Sequence, residues 1–258
     1  MRFVIIGGGP AGVQAATQAV KLGAHVTLIE KDVLGGAANL WDCVPSKAMI
    51  ATGAVLTENR RSRGMGLLSD GLRPDLDEIR ERIESITIRL AHSTSELLAS
   101  QGVTVIRGVG RFLDEHTVVA ECDDGTTVEI EADCVLLSTG SRPRIPDWAD
   151  VDGDRILITR QAYPPKEIPE HLIVIGSGVT GVEFVHMFRC FGSKVSLVVS
   201  RQQVPTSELL ASQGVTVIRG VGRFLDEHTV AATSGSFCGR TCCLETTSET
   251  LEPKHRNM

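Results

Sequence analysis

Apolar residues in this chain fall into two arrangements: short continuous runs, and stripes at three- and four-residue spacing. The runs at 3–6, 25–29, 103–106, 133–137, 172–175 and 195–199 are rich in valine, isoleucine and leucine and predict buried strands. The stripes predict helices. The first carries Ala11, Ala15, Ala16 and Ala19 and stops at Gly23. A second spans 46–56, with Pro45 in its first turn, and a charged, glycine-containing connection over 60–74 follows. A third runs from Asp75, which has capping-box spacing to Glu78, to about residue 100, and Gly102 caps it. Its core stripe is Leu76, Ile79, Ile83, Ile86, Leu90 and Leu97. A fourth ends at Phe191, before Gly192. Segments 108–112, 117–121 and 126–130 predict a small antiparallel meander. Strands alternating with helices predict an α/β fold of two Rossmann-like, three-layer (ββα/α) dinucleotide-binding domains, the second incomplete. Their expected bounds are 1–148 and 149–230, and 231–258, without an apolar period, is expected to be a disordered tail.

Glycines mark where each βα unit turns. After the first strand, Gly7, Gly9 and Gly12 match G-x-G-x-x-G, which serves a tight turn, backbone approach to a pyrophosphate and close helix–strand packing. Pro10 and Ala11 open the helix, and Glu30 ends the second strand where a carboxylate can accept a ribose hydroxyl. A shift of 169 residues carries Gly7, Gly9, Gly12 and Gly23 onto Gly176, Gly178, Gly181 and Gly192. It also carries Glu30 onto Val199, followed by Ser200 and Arg201. An uncharged position beside an arginine suits a 2′-phosphate, so NADPH should be accepted at the second site, with the choice between NADPH and NADH left open. The alternative is that Arg201 is a solvated loop charge.

Residues 94–118 and 206–230 are identical, surface and core positions alike. Repeats kept for structural reasons drift at exposed sites, so this is no solenoid period; a recent duplication or a join in the sequence explains it better. The copy brings a short helix at 207–212 and a strand at 215–218 to the place where a Rossmann unit needs them. The donor helix is about four times longer, so the copy is expected to complete the second sheet poorly.

Bulk properties narrow the class. A chain of 258 residues, 42% apolar with a net charge of −6, is a globular protein ill suited to nucleic acid or anionic membranes. No apolar run approaches the ~20 residues of a membrane span, and the N-terminal run is too short for a signal segment. Seven scattered cysteines suit reduced thiols in the cytoplasm. Cys238, Cys242 and Cys243 lack zinc-like spacing, and no metal site is expected.

The segment Gly35-Gly36-Ala37-Ala38-Asn39-Leu40-Trp41-Asp42-Cys43-Val44-Pro45-Ser46-Lys47 resembles the redox-helix signature of the flavoprotein disulfide reductases. In that family it reads roughly G-G-x-C-x-x-x-x-C-x-P-S-K, with both cysteines in a disulfide against the flavin. Here the second cysteine is Cys43 and the first is Ala38, so dithiol chemistry is excluded at this site. The wording is similar to a bacterial subgroup described as NAD(P)H-quinone reductases. The resemblance implies FAD on the first fingerprint, with Gly36 and Ala37 in its cradle, Cys43 as the charge-transfer thiol and Lys47 near the flavin. It implies that the backbone of Gly110 meets the adenine, although a plain turn explains that glycine equally well. Ser138-Thr139-Gly140-Ser141-Arg142-Pro143 is similar to the family's A-T-G-S-x-P segment, which puts Thr139 and Gly140 against FAD. Glu183 matches the glutamate that pairs with the redox-helix lysine, so a Lys47–Glu183 ion pair is expected.

The resemblance covers residues 1–204, under half of a full-length relative. It implies that the family's homodimer interface domain, with its His–Glu pair, is missing. The expected function is transfer of electrons from NAD(P)H through FAD to a quinone-like small molecule, with Cys43, Lys47 and Glu183 as the catalytic group. The alternatives are a nucleotide-binding pseudoenzyme, or a non-functional fragment of a dihydrolipoyl dehydrogenase-like protein.

Overall fold

A computed structural model describes residues 1–67, 71–143, 145–199, 207–221, 223–226, 229–232, 235–238, 241–244 and 248–250. It divides into two compact units, one built mainly from Met1–Val44 and Glu84–Arg142, the other from Pro45–Ile83 and Pro143–Ser248.

In the first unit, β1 (Arg2–Ile6) lies between β2 (His25–Glu30) and β6 (Cys134–Leu137), parallel to both. β3 (Thr104–Phe112), β4 (Thr117–Cys122) and β5 (Thr127–Glu131) extend the sheet to the order β5-β4-β3-β2-β1-β6. The separate runs expected at 103–106 and 108–112 are one strand. β3 pairs parallel with β2 in its first half and antiparallel with β4 in its second. Ile5 packs with Ala16, Val26, Leu28 and Leu98, while Val4 and Ile6 pack on the opposite face with Ile29, Val118 and Ala120. Burial on both faces is why β1 reads as a continuous apolar run; each such side chain contributes about 1.5–3 kcal/mol. α1 (Pro10–Lys21) follows the sequence closely, and a short helix that was not expected, α2 (Gly36–Leu40), comes after β2.

α3 (Cys43–Ser62) starts three residues before, and ends six after, the expected stretch. Pro45 is tolerated as its third residue because first-turn N–H groups have no intrahelical acceptor. α4 (Leu76–Ser100) begins where expected, with Asp75 Oδ1 accepting the N–H groups of Asp77 and Glu78 at 3.0 and 3.1 Å. Its buried line differs from the expected stripe. Ile79, Ile83 and Leu98 are buried, whereas Leu90 and Leu97 are 40% and 48% exposed. Ile79 and Ile83 pack in the core of the second unit, whereas Leu98 packs in that of the first, so the two ends of the helix serve different cores and no single stripe describes both.

The second unit centres on β9 (His171–Ile175). Its sheet also holds β8 (Ile156–Leu157), β10 (Lys194–Val199), β11 (Thr216–Arg219) and β15 (Thr241–Leu244), in the order β11-β10-β9-β15-β8 with every pairing parallel. α5 (Val179–Phe191) buries Phe184, Phe188 and Phe191 with Leu172, Val174, Leu197 and Val199. Tyr163 stacks on Phe184 with ring centroids 4.6 Å apart. α3 packs against the end of α5 at Gly53, where a Cβ would come within 2.8 Å of Cys190 Cβ. A guanidinium nitrogen of Arg60 donates to the Cys190 carbonyl there. α6 (Ser207–Ser212) precedes β11. β12 (Arg223–Asp226), β13 (Thr229–Ala232) and β14 (Gly235–Cys238) form an antiparallel sheet, and β7 (Ser141–Pro143) pairs with β16 (Ser248–Thr250). β15 lies within the stretch expected to be disordered. It covers an edge of β9 whose residues Leu172, Ile173 and Val174 are buried, which satisfies backbone groups that would otherwise be stranded away from water. Among the described residues no helix is long and apolar enough to cross a membrane.

The duplicated segment enters its sheet alike in both places, although the single strand β3 of the original corresponds to two strands, β11 and β12, in separate sheets. Val103 N–H donates to the Leu98 carbonyl and Val215 N–H to that of Leu210, each at 3.0 Å. Thr104 pairs with Thr27 on β2, and its copy Thr216 pairs with Ser196 on β10, which is Thr27 shifted by 169. The copy therefore joins the second sheet in the register the original holds in the first, over four rungs. Its short helix still supplies the inward leucine: Leu98 and Leu210 are both buried.

Candidate functional site: two glycine cradles and the start of helix α3

The first cradle is shaped by backbone. Gly7 has φ +110° and its N–H donates to the Ile29 carbonyl at 2.8 Å. A side chain there would be strained, and its Cβ would sit 2.1 Å from the Ser138 carbonyl oxygen. Ser138, not among the expected site residues, thus walls the turn together with Thr139; the strand before it, β6, was expected to be buried but is half-exposed, with Leu137 at the surface. Gly12 is buried in α1, and a Cβ on it would lie 1.9 Å from the Gly7 carbonyl oxygen. Gly9 caps α1 with extended backbone, and no described atom lies within 4 Å of where its Cβ would be. Pro10 and Ala11 follow it, both exposed. The open side of Gly9 at the α1 N-terminus is the room a pyrophosphate needs, with the helix dipole favouring the anion.

Glu30 closes this cradle. Its carboxylate accepts the Gly8 N–H at 2.6 Å through one oxygen and the Asp32 N–H at 2.7 Å through the other. Each oxygen retains acceptor capacity for a ribose hydroxyl. Gly36 and Ala37 open α2, and a Cβ on Gly36 would reach 3.0 Å from Gly9 Cα. Gly110 packs against Ile6, with 3.0 Å between its would-be Cβ and that side chain. Gly140, at φ +72°, turns the chain after β6. Gly7, Gly9, Gly12, Glu30, Gly36, Ala37, Thr139 and Gly140 thus all belong to the first unit, and the residues present fit an adenine dinucleotide.

The second cradle repeats the first. Gly176 has φ +119° and donates to the Val198 carbonyl at 3.0 Å; Gly178 caps α5, and Gly181 is buried within it. Val199, at the Glu30 position, is fully buried and offers no side-chain acceptor. Arg201 lies outside the described residues.

Cys43 is the first residue of α3 and is exposed. Lys47 stands one turn further along, its side chain 59% exposed, and its Nζ lies 2.5 Å from Glu183 Oε1 on α5 and 3.3 Å from Ser46 Oγ. Glu183, 23% exposed, is the more enclosed partner. The expected ion pair is therefore formed, inside the second unit. Exposed pairs contribute little to stability, roughly 0–1 kcal/mol, so its consequence is where it holds the ammonium.

Three comparisons bear on this arrangement. The pyridine nucleotide-disulphide oxidoreductase family matches residues 1–233. A Mycobacterium tuberculosis NAD(P)H dehydrogenase (quinone) is 42% identical over 214 residues, 79% of this chain and 43% of the relative. Dihydrolipoyl dehydrogenase of Zymomonas mobilis is 34% identical over 202 residues, 78% of this chain and 43% of the relative. The crystal structure of LpdA from Mycobacterium tuberculosis superposes with a TM-score of 0.84 at 35% identity, over 96% of this chain and 59% of that one. The chain spans under half the length of these curated relatives. Members of the family are FAD-containing, NAD(P)H-dependent oxidoreductases. With two matching glycine cradles and a family pattern running through both, the chain belongs to the pyridine nucleotide-disulphide oxidoreductases.

Proposed function

We infer that the chain holds FAD on the first cradle and NAD(P)H on the second, and serves a reductase that passes electrons to a quinone-type acceptor without a redox disulfide. The observation that carries this reading is the redox segment itself. Ala38 stands where a disulfide partner for Cys43 would be needed, while the flavin-side and nicotinamide-side elements are retained around it. FAD bound there supplies the redox chemistry. The chain's own residues bind and orient. Gly7, Gly9, Pro10, Ala11 and Gly12 cradle the pyrophosphate, and Glu30 accepts from the ribose. Gly36, Ala37, Gly110, Thr139 and Gly140 line the rest of the FAD site. Glu183 fixes the Lys47 ammonium at one place on α3, next to the Cys43 turn. Cys43 is a single thiol at a helix start and tunes its surroundings; it does not relay electrons through a disulfide. Gly176, Gly178 and Gly181 receive the second pyrophosphate, and Val199 removes the carboxylate that would repel a 2′-phosphate.

Absorbance of the purified chain tests this directly. A flavin spectrum that bleaches with anaerobic NADPH is expected, and a colourless protein would remove the flavin site. Cys43→Ser should keep most NADPH-driven quinone or dye reduction while altering long-wavelength absorbance; loss of nearly all turnover with FAD still bound would refute the tuning role. A nucleotide-binding chain without turnover is the second reading, favoured by the 43% coverage of the relatives. Flavin colour that NADPH leaves unbleached would decide for it.

A further inference from the structure

One arginine occurs twice at the ribose end of a cradle. In the first unit, the last rung between β2 and β3 pairs Glu30 with Arg107. Arg107 and its duplicate Arg219 are the same position of the repeated segment. In the second unit the last rung between β10 and β11 pairs Val199 with Arg219, and the Gly220 N–H donates to the Val199 carbonyl at 2.8 Å, which locks that register. Residues paired across parallel strands share a face of the sheet about 4.8 Å apart. Val199 is buried and Arg219 is exposed, so the arginine stands at the rim beside the position where a ribose-binding acid would be.

The two copies meet different chemistry. Beside Arg107 lies the Glu30 carboxylate, and the Arg107 guanidinium is held by Asp123 at 2.7 Å. A dianionic phosphate brought to that corner would face a like charge. Beside Arg219 the corresponding side chain is an uncharged valine. A cation next to a missing acid is the arrangement that accepts a 2′-phosphate in a dinucleotide fold, and a guanidinium fork binds phosphate bidentately.

We propose that Arg219, carried into the second sheet by the duplicated segment, recognises the 2′-phosphate of NADPH and sets the preference for NADPH over NADH. This rests on the reading that the second cradle binds NAD(P)H. Arg219 is a specificity residue; the glycine turn binds what the two cofactors share.

Calorimetric titration of the full-length chain with 2′,5′-ADP and with 5′-AMP separates the two ideas, because only the first carries the 2′-phosphate. Wild type should bind 2′,5′-ADP at least tenfold more tightly. Arg219→Gln should lose most of that factor and keep 5′-AMP affinity within twofold, and Arg219→Lys should recover part of it. Unchanged 2′,5′-ADP affinity in Arg219→Gln would overturn the assignment. So would equal weakening of both nucleotides, the mark of a merely structural role. Failure of wild type to bind either nucleotide would remove the second nucleotide site itself and this inference with it.

Discussion

The two βαβ units share a backbone and little else. His25 N–H donates to the Met1 carbonyl at 2.9 Å, and 169 residues later Lys194 donates to Glu170 at 2.8 Å. Val13 bonds to Gly9 at 3.0 Å and Val182 to Gly178 at 3.1 Å. Yet Ala15, Ala16 and Ala19 in α1 become Phe184, Val185 and Phe188 in α5. The glycine fingerprint specifies how the strand turns into the helix; the volume on that helix is set by what covers it. α1 buries only Gly12 and Ala16, whereas α5 buries seven residues beneath α3, Tyr163 and the sheet.

The largest effect should come from spoiling a fingerprint outright. In Gly12→Ala the new methyl would meet the Gly7 carbonyl oxygen at 1.9 Å, and α1 must lift from the turn. Flavin content should fall below a tenth of wild type on the proposed assignment, while 2′,5′-ADP binding survives. Retained flavin absorbance would show that the first cradle tolerates a Cβ and that the shared backbone is not what holds the cofactor.

Phe188→Ala addresses the covered helix. Removing a fully buried ring should cost about 3–5 kcal/mol in a urea titration. Ala19→Gly, the smallest truncation at the equivalent place in α1, should cost about 1 kcal/mol. Similar losses in the two variants would mean that the helices carry equal packing and that the contrast drawn here is wrong.

Much of this was legible because it is local. Glycine spacing, the caps at Gly23 and Gly192, and Glu30 against Val199 each follow from what one turn or one strand end requires. Less legible was anything that depends on what lies opposite. The stripe through Leu97 assumes that one core covers the whole helix, while Ile79 and Ile83 pack in one cluster and Leu98 in another. The Thr-Cys-Cys-Leu of β15 has no periodicity of its own and is a strand because β9 offers it an edge. Gly53 carries no signal within its own helix; Cys190, 137 positions later, explains it. Arg219 needed both shifts at once, the repeat within the chain and the offset between the fingerprints, before its neighbour Val199 became visible.

At the ribose corner the comparison can be inverted. Val199→Glu gives the second unit the acid of the first. On the proposed assignment the ratio of KM values should move at least tenfold toward NADH, about 1.4 kcal/mol of discrimination. The carboxylate enters a buried site, so the urea midpoint should fall as well. An unchanged ratio in a folded variant would detach Val199 from cofactor choice.

The smallest effect lies at the opposite end of the strands, where the units again differ. Arg2 at the start of β1 binds Asp133 at 2.7 Å and also pairs with Glu131, whereas its counterpart His171 on β9 meets the Ser196 hydroxyl at 2.9 Å. The Arg2 side chain, together with its N–H, holds the Asp133 carboxyl below the usual aspartate value. A depressed native value means that this contribution is present above the unfolded aspartate pKa of about 3.9 and is lost as pH falls through the native one. Because both groups are exposed, the gain is small and screened by salt. Asp133→Asn should therefore unfold slightly earlier than wild type in urea at pH 6, and the two curves should converge as the medium is acidified below the unfolded value. Curves that stay apart in acid would show that Asp133 acts as a neutral hydrogen-bond acceptor at the edge of β6, with no part played by its charge.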